Sequence, residues 1–362
     1  MKNTFGNNLT VTLFGESHGN AVGAVLDGLA PGIAVDEEFI RFQLSLRRPV
    51  GDISTARQEP DHFVIQSGVF EGRTTGTPLC IVIPNENTRS QDYGDMRGKA
   101  RPGHADYTAY AKYHGFEDPR GGGHFSGRIT AALVAAGAIV LSALKGKGIA
   151  VGTHIARLAG LADRDFADWN ADIATLAKKP FAVLDAKASM QMVSAITAAK
   201  KEGDSVGGVL ETAVTGLPAG VGEPWFDTVE GLLAHALFSI PAVKGVEFGT
   251  GFDIADLRGS QANDPFRMEQ GRVVTTTNHN GGVNGGITNG MPLLFRCAVK
   301  PTPTIFKAQD TVDFMQKQNA ALQARGRHDP CIVHRARVVV DSVTAFTLYD
   351  LLAGRFGTDW LA

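Results

Sequence analysis

Five short glycine-framed clusters hold most of the side chains able to move a proton or grip an anion. Gly15-Glu16-Ser17-His18-Gly19 follows an apolar run, so a strand ends there with its side chains free to face a cavity. His18 is of the residue type that can act as a general acid near neutral pH. Arg101-Pro102-Gly103-His104-Ala105-Asp106-Tyr107 carries a second histidine, with a carboxylate close enough to orient its ring. Arg120-Gly121-Gly122-Gly123-His124-Phe125-Ser126-Gly127-Arg128 precedes an apolar helical stretch, and free amides at a helix start suit an anion. Its spacing matches neither a Walker loop nor a dinucleotide fingerprint. Asn278-His279-Asn280-Gly281-Gly282-Val283-Asn284-Gly285-Gly286-Ile287 suggests backbone wrapped around a planar, hydrogen-bonding ligand, and Lys300-Pro301-Thr302-Pro303-Thr304 adds a cation and two hydroxyls. Gly326-Arg327-His328-Asp329-Pro330-Cys331 sets three ionisable side chains in a row. For each cluster the plain alternative is a tight turn with its polar groups satisfied by backbone.

Arginines recur in or beside these clusters: Arg47, Arg48, Arg57, Arg101, Arg120, Arg128 and Arg327. The formal net charge is only -2, which argues against nucleic acid or a membrane surface as partner. Concentrated guanidinium groups in such a chain imply a small substrate with several carboxylates or phosphates. No HExxH and no Cys/His metal spacing is present, so a metal enzyme is disfavoured.

The elements that must position these residues repeat. Gly19–Leu26 is echoed by Gly203–Leu210, and Gly28-Leu29-Ala30-Pro31-Gly32 by Gly216-Leu217-Pro218-Ala219-Gly220. Helical patterns over Asp36–Leu46 and Asp227–Phe238 follow, each with an aspartate able to cap its first turn. Gly76-Thr77-Pro78-Leu79 and Gly290-Met291-Pro292-Leu293 form a third pair. These echoes predict one domain of two related halves, about 1–150 and 190–362, with a surface insertion at 155–190 that is helical around Phe166–Leu176. Short β-branched runs predict strands at Leu9–Leu13, Ala21–Leu26, Leu79–Ile83, Gly207–Val214, Leu293–Val299 and Arg337–Val340. Ile129–Leu144 reads as a buried helix, too short and interrupted to span a bilayer. Adjacent strands with helices grouped between them predict an α+β fold of antiparallel sheets covered by helices. Cys80, Cys297 and Cys331 form no pair motif, Cys80 and Cys297 read as core, and no signal-peptide layout opens the chain. A reducing cytoplasm is the expectation.

Taken in order, the five clusters resemble the chorismate synthase family, over about Phe5 to Val343 apart from the 155–190 region. The most specific stretches are Gly15–Gly19 with the following glycine-valine run, Arg101–Tyr107 and Gly326–Cys331. The resemblance implies a β-α-β sandwich with internal duplication, usually a homotetramer. It implies conversion of 5-enolpyruvylshikimate 3-phosphate to chorismate and phosphate, the last step of the shikimate pathway. That reaction is an anti-1,4-elimination that needs reduced FMN without net redox change. His18 then resembles the acid that protonates the departing phosphate, and His104 the histidine at the reduced flavin. Asp329, with Ser126 and Ser17, resembles the proton relay. His124, Phe125, Ser126, Gly285, Lys300, Pro301, Thr302, Pro303, Thr304 and Arg327 match flavin-contacting positions. Arg47, Arg48 and Arg128 match substrate or NADPH positions, and no metal is implied.

This chain departs from the family pattern at three places. The commoner sequence after the triple glycine is Arg-Ser-Ser-Ala-Arg, against His124-Phe125-Ser126-Gly127-Arg128 here. Val50 and Ile53 stand where a Pro-Gly and a basic residue are usual, and Asp341 stands for a usual Glu. No nicotinamide fingerprint is present, so an external source of flavin reduction is expected ahead of NADPH. Two rival readings follow from the same residues: another FMN-dependent oxidoreductase acting on a phosphorylated polyanion, or a non-catalytic flavin or nucleotide binder.

Overall fold

The computed structural model describes residues 2–49, 51–54, 60–86, 98–323 and 329–362. The first half supplies β1 (Thr4–Phe5), β2 (Thr10–Gly15), β3 (Ala21–Asp27), helix α1 (Glu37–Arg47), β4 (Val64–Ser67), the small hairpin β5 (Val69–Phe70) and β6 (Arg73–Thr74), and β7 (Leu79–Pro84). Helices α2 (Asp106–Tyr113) and α3 (Thr130–Gly146) follow. The second half runs through β8 (Ala150–Leu158), β9 (Leu161–Ala162), α4 (Trp169–Leu176), α5 (Ala186–Lys201), β10 (Gly208–Thr215), α6 (Val229–Ser239), β11 (Val243–Phe248) and the short α7 (Gly259–Ala262). Hairpins β12–β13 (Phe266–Glu269, Arg272–Thr275) and β14–β15 (Val283–Asn284, Ile287–Thr288) precede β16 (Leu293–Val299). The chain closes with hairpin β17–β18 (Gln309–Asp313, Gln318–Leu322) and α8 (Val333–Phe356).

Two five-stranded antiparallel sheets result, ordered β1-β2-β3-β7-β4 and β9-β8-β10-β16-β11. Four strands of each sheet share one chain order (β2, β3, β4, β7 and β8, β10, β11, β16), with a helix (α1, α6) before β4 and β11 and a helix (α3, α8) after β7 and β16. The helices lie between the sheets: α3 packs against β3 and β7 of the first, α6 and α8 against the second, α3 against α8, and α1 against both α3 and α8. This is an α+β fold with antiparallel sheets covered by helices.

Period-two alternation turns one face of each sheet toward that helical layer. On β3, Val22, Ala24 and Leu26 are fully buried, and on β16 every second residue from Leu293 to Val299 is buried. Cys297 belongs to that inward row, whereas Cys80 lies on the opposite face from Leu79, Ile81 and Ile83 and is only partly buried. Helix α3 is small and apolar because it runs in the middle layer. A side chain on Gly137 would collide with Ser342 of α8, so the two helices cross there at glycine separation. Gly127–Gly146 is long and apolar enough to cross a membrane, but 72% of its most apolar window is buried inside the fold.

Several boundaries differ from expectation. Arg337–Val340 is not a strand but part of α8. Its β-branched run favours extended backbone in isolation, yet Val338, Val339 and Val340 are all buried between the layers, and that burial outweighs local propensity. Helix α6 is capped by Thr228, whose hydroxyl accepts from the Gly231 amide at 2.9 Å, rather than by Asp227. Residues 155–158 complete β8, where Ile155 pairs with Leu210.

Candidate active site

The triple glycine is the joint of the site. Gly121, Gly122 and Gly123 all have positive φ (61°, 86° and 54°), a backbone that only glycine adopts freely. A Cβ on Gly121 would stand 2.6 Å from His18 Nε2 and 2.9 Å from Ser17 Oγ. A Cβ on Gly122 would stand 3.3 Å from His104 Cε1. Bare backbone thus passes between the two histidines and brings the first three clusters into one place. The Ser17 amide donates to the Gly123 carbonyl at 3.0 Å, which fixes the loops to each other. Ser17 and His18 are buried, and Ser17 Oγ has no hydrogen-bond partner among the described residues.

His104 sits in a built environment. Asp106 Oδ1 is 2.7 Å from His104 Nδ1, and Asp106 is also gripped by Arg101 through Nε at 2.8 Å and Nη2 at 2.7 Å. Arg101 Nη2 lies 3.1 Å from the same Nδ1, but that nitrogen cannot donate to Asp106 and accept from Arg101 at once. The shorter contact to the carboxylate assigns the proton to Nδ1 and leaves Nε2 for the Gly122 side. Burial pushes Asp106 upward, but hydrogen bonds from Arg101 and His104 outweigh it and hold the carboxyl well below the usual range. Asp106 therefore stays ionised and keeps the ring oriented.

Arg47, Arg48 and Arg128 also meet, on a carboxylate that sequence reasoning missed. Asp61 is buried, and both Arg47 (3.1 Å) and Arg128 pair with it. Arg48 Nε stands 3.9 Å away, and another Arg48 nitrogen donates to the Pro60 carbonyl. Arg128 also donates to Asn85 Oδ1 at 2.8 Å and to the Pro84 carbonyl at 3.0 Å. Burial lowers Arg47 to about 10, opposed by Asp61 and assisted by the Arg335 and Arg128 charges, so it remains a cation at neutral pH. Burial pushes Asp61 upward, and Arg47 and Arg128 more than reverse that. No spacing in the sequence marks Asp61; the signal was that buried arginines require a buried counter-charge.

From the far side, Arg335 joins in. It donates to Asp329 at 2.6 Å and to the Arg47 carbonyl at 2.7 Å, tying the first turn of α8 to the end of α1. The N-termini of α3 and α8 both lie at this end of the molecule, through Arg128 and Arg335, so their positive ends add to the field felt by an anion. Arg327 lies outside the described residues. Lys300 donates to the Gly103 carbonyl, and the Gly103 Cβ position is 3.4 Å from Pro303. The stretch Lys300–Thr304 therefore packs on the loop that carries His104. Ser205 Oγ donates to the Thr302 carbonyl at 2.7 Å, Thr302 Oγ1 is buried with no partner among the described residues, and Thr304 is buried.

The remaining positions spread out. His124 Nδ1 donates to the Gly15 carbonyl at 2.8 Å, Phe125 is 37% exposed and packs edge-on to Tyr113, and Ser126 Oγ accepts from the Arg128 amide at 3.3 Å. The amide-rich loop does not present its donors to a ligand. Thr277 Oγ1, the His279 amide, and the backbone and side-chain amides of Asn280 all donate to buried Asp264 at 2.6–2.9 Å. Gly285 lies in the β14–β15 turn, before β16, and Lys300 follows the end of that strand. Among the described residues no cluster of three or more His, Cys, Asp or Glu could hold a metal ion.

Known proteins resemble the chain along nearly all its length. The chorismate synthase family model matches residues 9–353. The chorismate synthase of Pyrococcus abyssi (strain GE5 / Orsay) is 46% identical over 96% of this chain and 96% of its own length. That of Dehalococcoides mccartyi (strain BAV1) is 48% identical over 97% and 96%. A crystal structure of chorismate synthase superposes with a TM-score of 0.77 at 28% identity, covering 98% of this chain and 94% of the other. Sequence, fold and the gathering of two histidines with buried arginines converge, and the chain belongs to the chorismate synthase family of lyases.

Proposed function

We propose that this enzyme converts 5-enolpyruvylshikimate 3-phosphate to chorismate and phosphate by anti-1,4-elimination, with reduced FMN bound and no net redox change. The observation that carries the reading is the passage of bare backbone at Gly121–Gly123 between His18 and His104. It leaves two titratable rings on either side of a segment that no side chain fills.

The residues fit a flavin. Ser17 Oγ and Thr302 Oγ1 are buried hydroxyls with no partner among the described residues, and a Cβ on Gly121 or Gly122 would fill the space beside the rings. His124, Phe125, Ser126 and Lys300, Pro301, Thr302, Pro303 and Thr304 would hold it, with Arg327 completing the set. When bound, reduced FMN supplies the electron density that makes loss of the allylic phosphate feasible. His18 delivers a proton to the departing phosphate. His104, held by Asp106, keeps its Nε2 toward the flavin. Asp329, with Ser126 and Ser17, would relay the proton that leaves the substrate. Arg47, Arg48 and Arg128 hold and neutralise the anionic groups, charge stabilisation that acts most strongly where water is excluded. Gly285 is a further proposed flavin contact, and a homotetramer is the proposed assembly.

The protein is read as one cytoplasmic domain of two related halves, with a small-molecule substrate. Its three cysteines are free, and burial pushes Cys297 and Cys331 up to about 12, which suits a reducing compartment. NADPH is a candidate reductant, ranked behind an external source. The test is anaerobic incubation of the enzyme with 5-enolpyruvylshikimate 3-phosphate and chemically reduced FMN, following chorismate absorbance and phosphate release. Equimolar chorismate and phosphate support the reading, and neither product overturns it. A parallel arm with oxidised FMN and NADPH forms chorismate only if the chain reduces its own flavin.

A further inference from the structure

Asp61 is a carboxylate in a place where a substrate-binding enzyme for a polyanion would be expected to avoid one. Its side chain is fully buried, and its backbone sits at φ 52°, a left-handed conformation costly for a residue with a Cβ. Both costs are maintained beside guanidinium groups that the proposed reaction needs for the substrate. What Asp61 holds together explains them.

A continuous chain of contacts runs through it. Asp61 pairs with Arg47 and Arg128. Arg128 donates to Asn85 Oδ1 at 2.8 Å. The Asn85 side-chain amide in turn donates to the carbonyls of Glu16 and Gly19, both at 2.9 Å. Those two carbonyls bracket Ser17 and His18. In the other direction, the Arg47 carbonyl accepts from Arg335, whose guanidinium pairs with Asp329. The end of α1 and the segment leading into α3 therefore meet at one carboxylate, with the end of β7 joined to it through Arg128 and the start of α8 through Arg47.

We infer that Asp61 is a positioning residue for the elimination. It does not touch substrate; it fixes the Arg47 and Arg128 guanidinium groups in one orientation and, through Arg128 and Asn85, sets the loop that carries His18 relative to them. This rests on the proposed reaction and adds to it the reason that a phosphate and its proton donor arrive in register. A residue acting this way affects geometry more than anion affinity, because removing its negative charge leaves the arginines more attractive to an anion, not less.

The test compares Asp61→Asn and Asp61→Glu with the parent enzyme. Inorganic phosphate binding is measured by calorimetry without flavin, and kcat and KM with reduced FMN under anaerobic conditions. The expected result for folded Asp61→Asn is a kcat loss of about 30-fold or more, with phosphate affinity equal or tighter and partial recovery in Asp61→Glu; misplacement by ~1 Å is enough for such a loss. A kcat within about threefold of the parent, or phosphate binding that weakens in step with kcat, overturns the inference. Should Asp61→Asn fail to fold, Asn85→Ala cuts the same chain without uncovering a buried charge. It must then lower kcat while sparing phosphate affinity, and an unchanged kcat overturns the inference. If the parent converts no substrate, the proposed reaction has failed, and the phosphate measurement still reports whether Asp61 organises an anion site.

Discussion

Replacing Gly121 with alanine puts a methyl carbon 2.6 Å from His18 Nε2 and 2.9 Å from Ser17 Oγ. An ordinary contact starts at 3.4 Å, so the imidazole must retreat by roughly 0.8 Å, close to the ~1 Å displacement that can cost about 100-fold in rate. The residue also holds φ 61°, which costs a non-glycine residue roughly 1–2 kcal/mol of stability. The two effects can be separated. Gly148 has φ 76° with nothing within 4 Å of its Cβ position, so Gly148→Ala carries the backbone penalty without a clash. Both variants should unfold at slightly lower temperature than the parent. Only Gly121→Ala should lose kcat, by about 100-fold, in an anaerobic chorismate assay with reduced FMN. A folded Gly121→Ala enzyme with kcat within about threefold of the parent would refute the placement of His18 against the glycine loop.

Other outcomes follow from the same geometry. His18→Ala should cut turnover by about 10²–10⁴-fold if the ring is the general acid, and an unchanged rate removes that role. Asp106→Asn should leave the fold intact but lower kcat by about tenfold or more, because the proton on His104 Nδ1 loses its anionic partner and the tautomer is no longer enforced; an unaltered pH–rate profile would count against it. Buried His154 lies between Asp163 (2.8 Å) and Glu211 (3.1 Å). Burial disfavours its charge, but the two carboxylates prevail and raise its pKa. Its folded value thus exceeds the unfolded one, and its stabilising contribution is full below about pH 6.5 and fades as pH rises through the folded value. The gap in thermal midpoint between the parent and His154→Gln should narrow from pH 6 to pH 9, and a widening gap would contradict the assignment. Phe346→Ala on α8, a residue 2% exposed, should cost about 3–5 kcal/mol in denaturant unfolding, and a loss below about 1 kcal/mol would show that α8 is not the core element described.

Much of the fold could be read from the chain because it is written in local rules. Alternating β-branched residues gave β3, β7, β10 and β16 to within a residue or two, and the Asp36 cap of α1 followed from its position before an amphipathic run, where its carboxylate accepts from Phe39. Val338–Val340 misled because their burial in the middle layer is a property of the whole fold. The strand β8 went unread because Ile155 and Leu158 look like any apolar residues until β10 pairs with them. At the site, glycines flanking histidines were legible, since close approach demands glycine wherever it occurs. Asp61 was not, because its meaning lies in Arg47 and Arg48 from one stretch of the chain and Arg128 from another, which only the fold brings together. Nor was Asp264, which gathers the amide donors of the 278–280 loop that looked destined for a ligand.

In the proposed reaction, bound reduced flavin assists the elimination and is not consumed. The most direct measurement is flavin absorbance under strictly anaerobic conditions while the enzyme turns over 5-enolpyruvylshikimate 3-phosphate in large excess over reduced FMN. Many equivalents of chorismate and phosphate per flavin, with the flavin still reduced at the end, is the predicted result. Oxidation of one flavin for each product formed, with turnover halting when reduced FMN is exhausted, would contradict it.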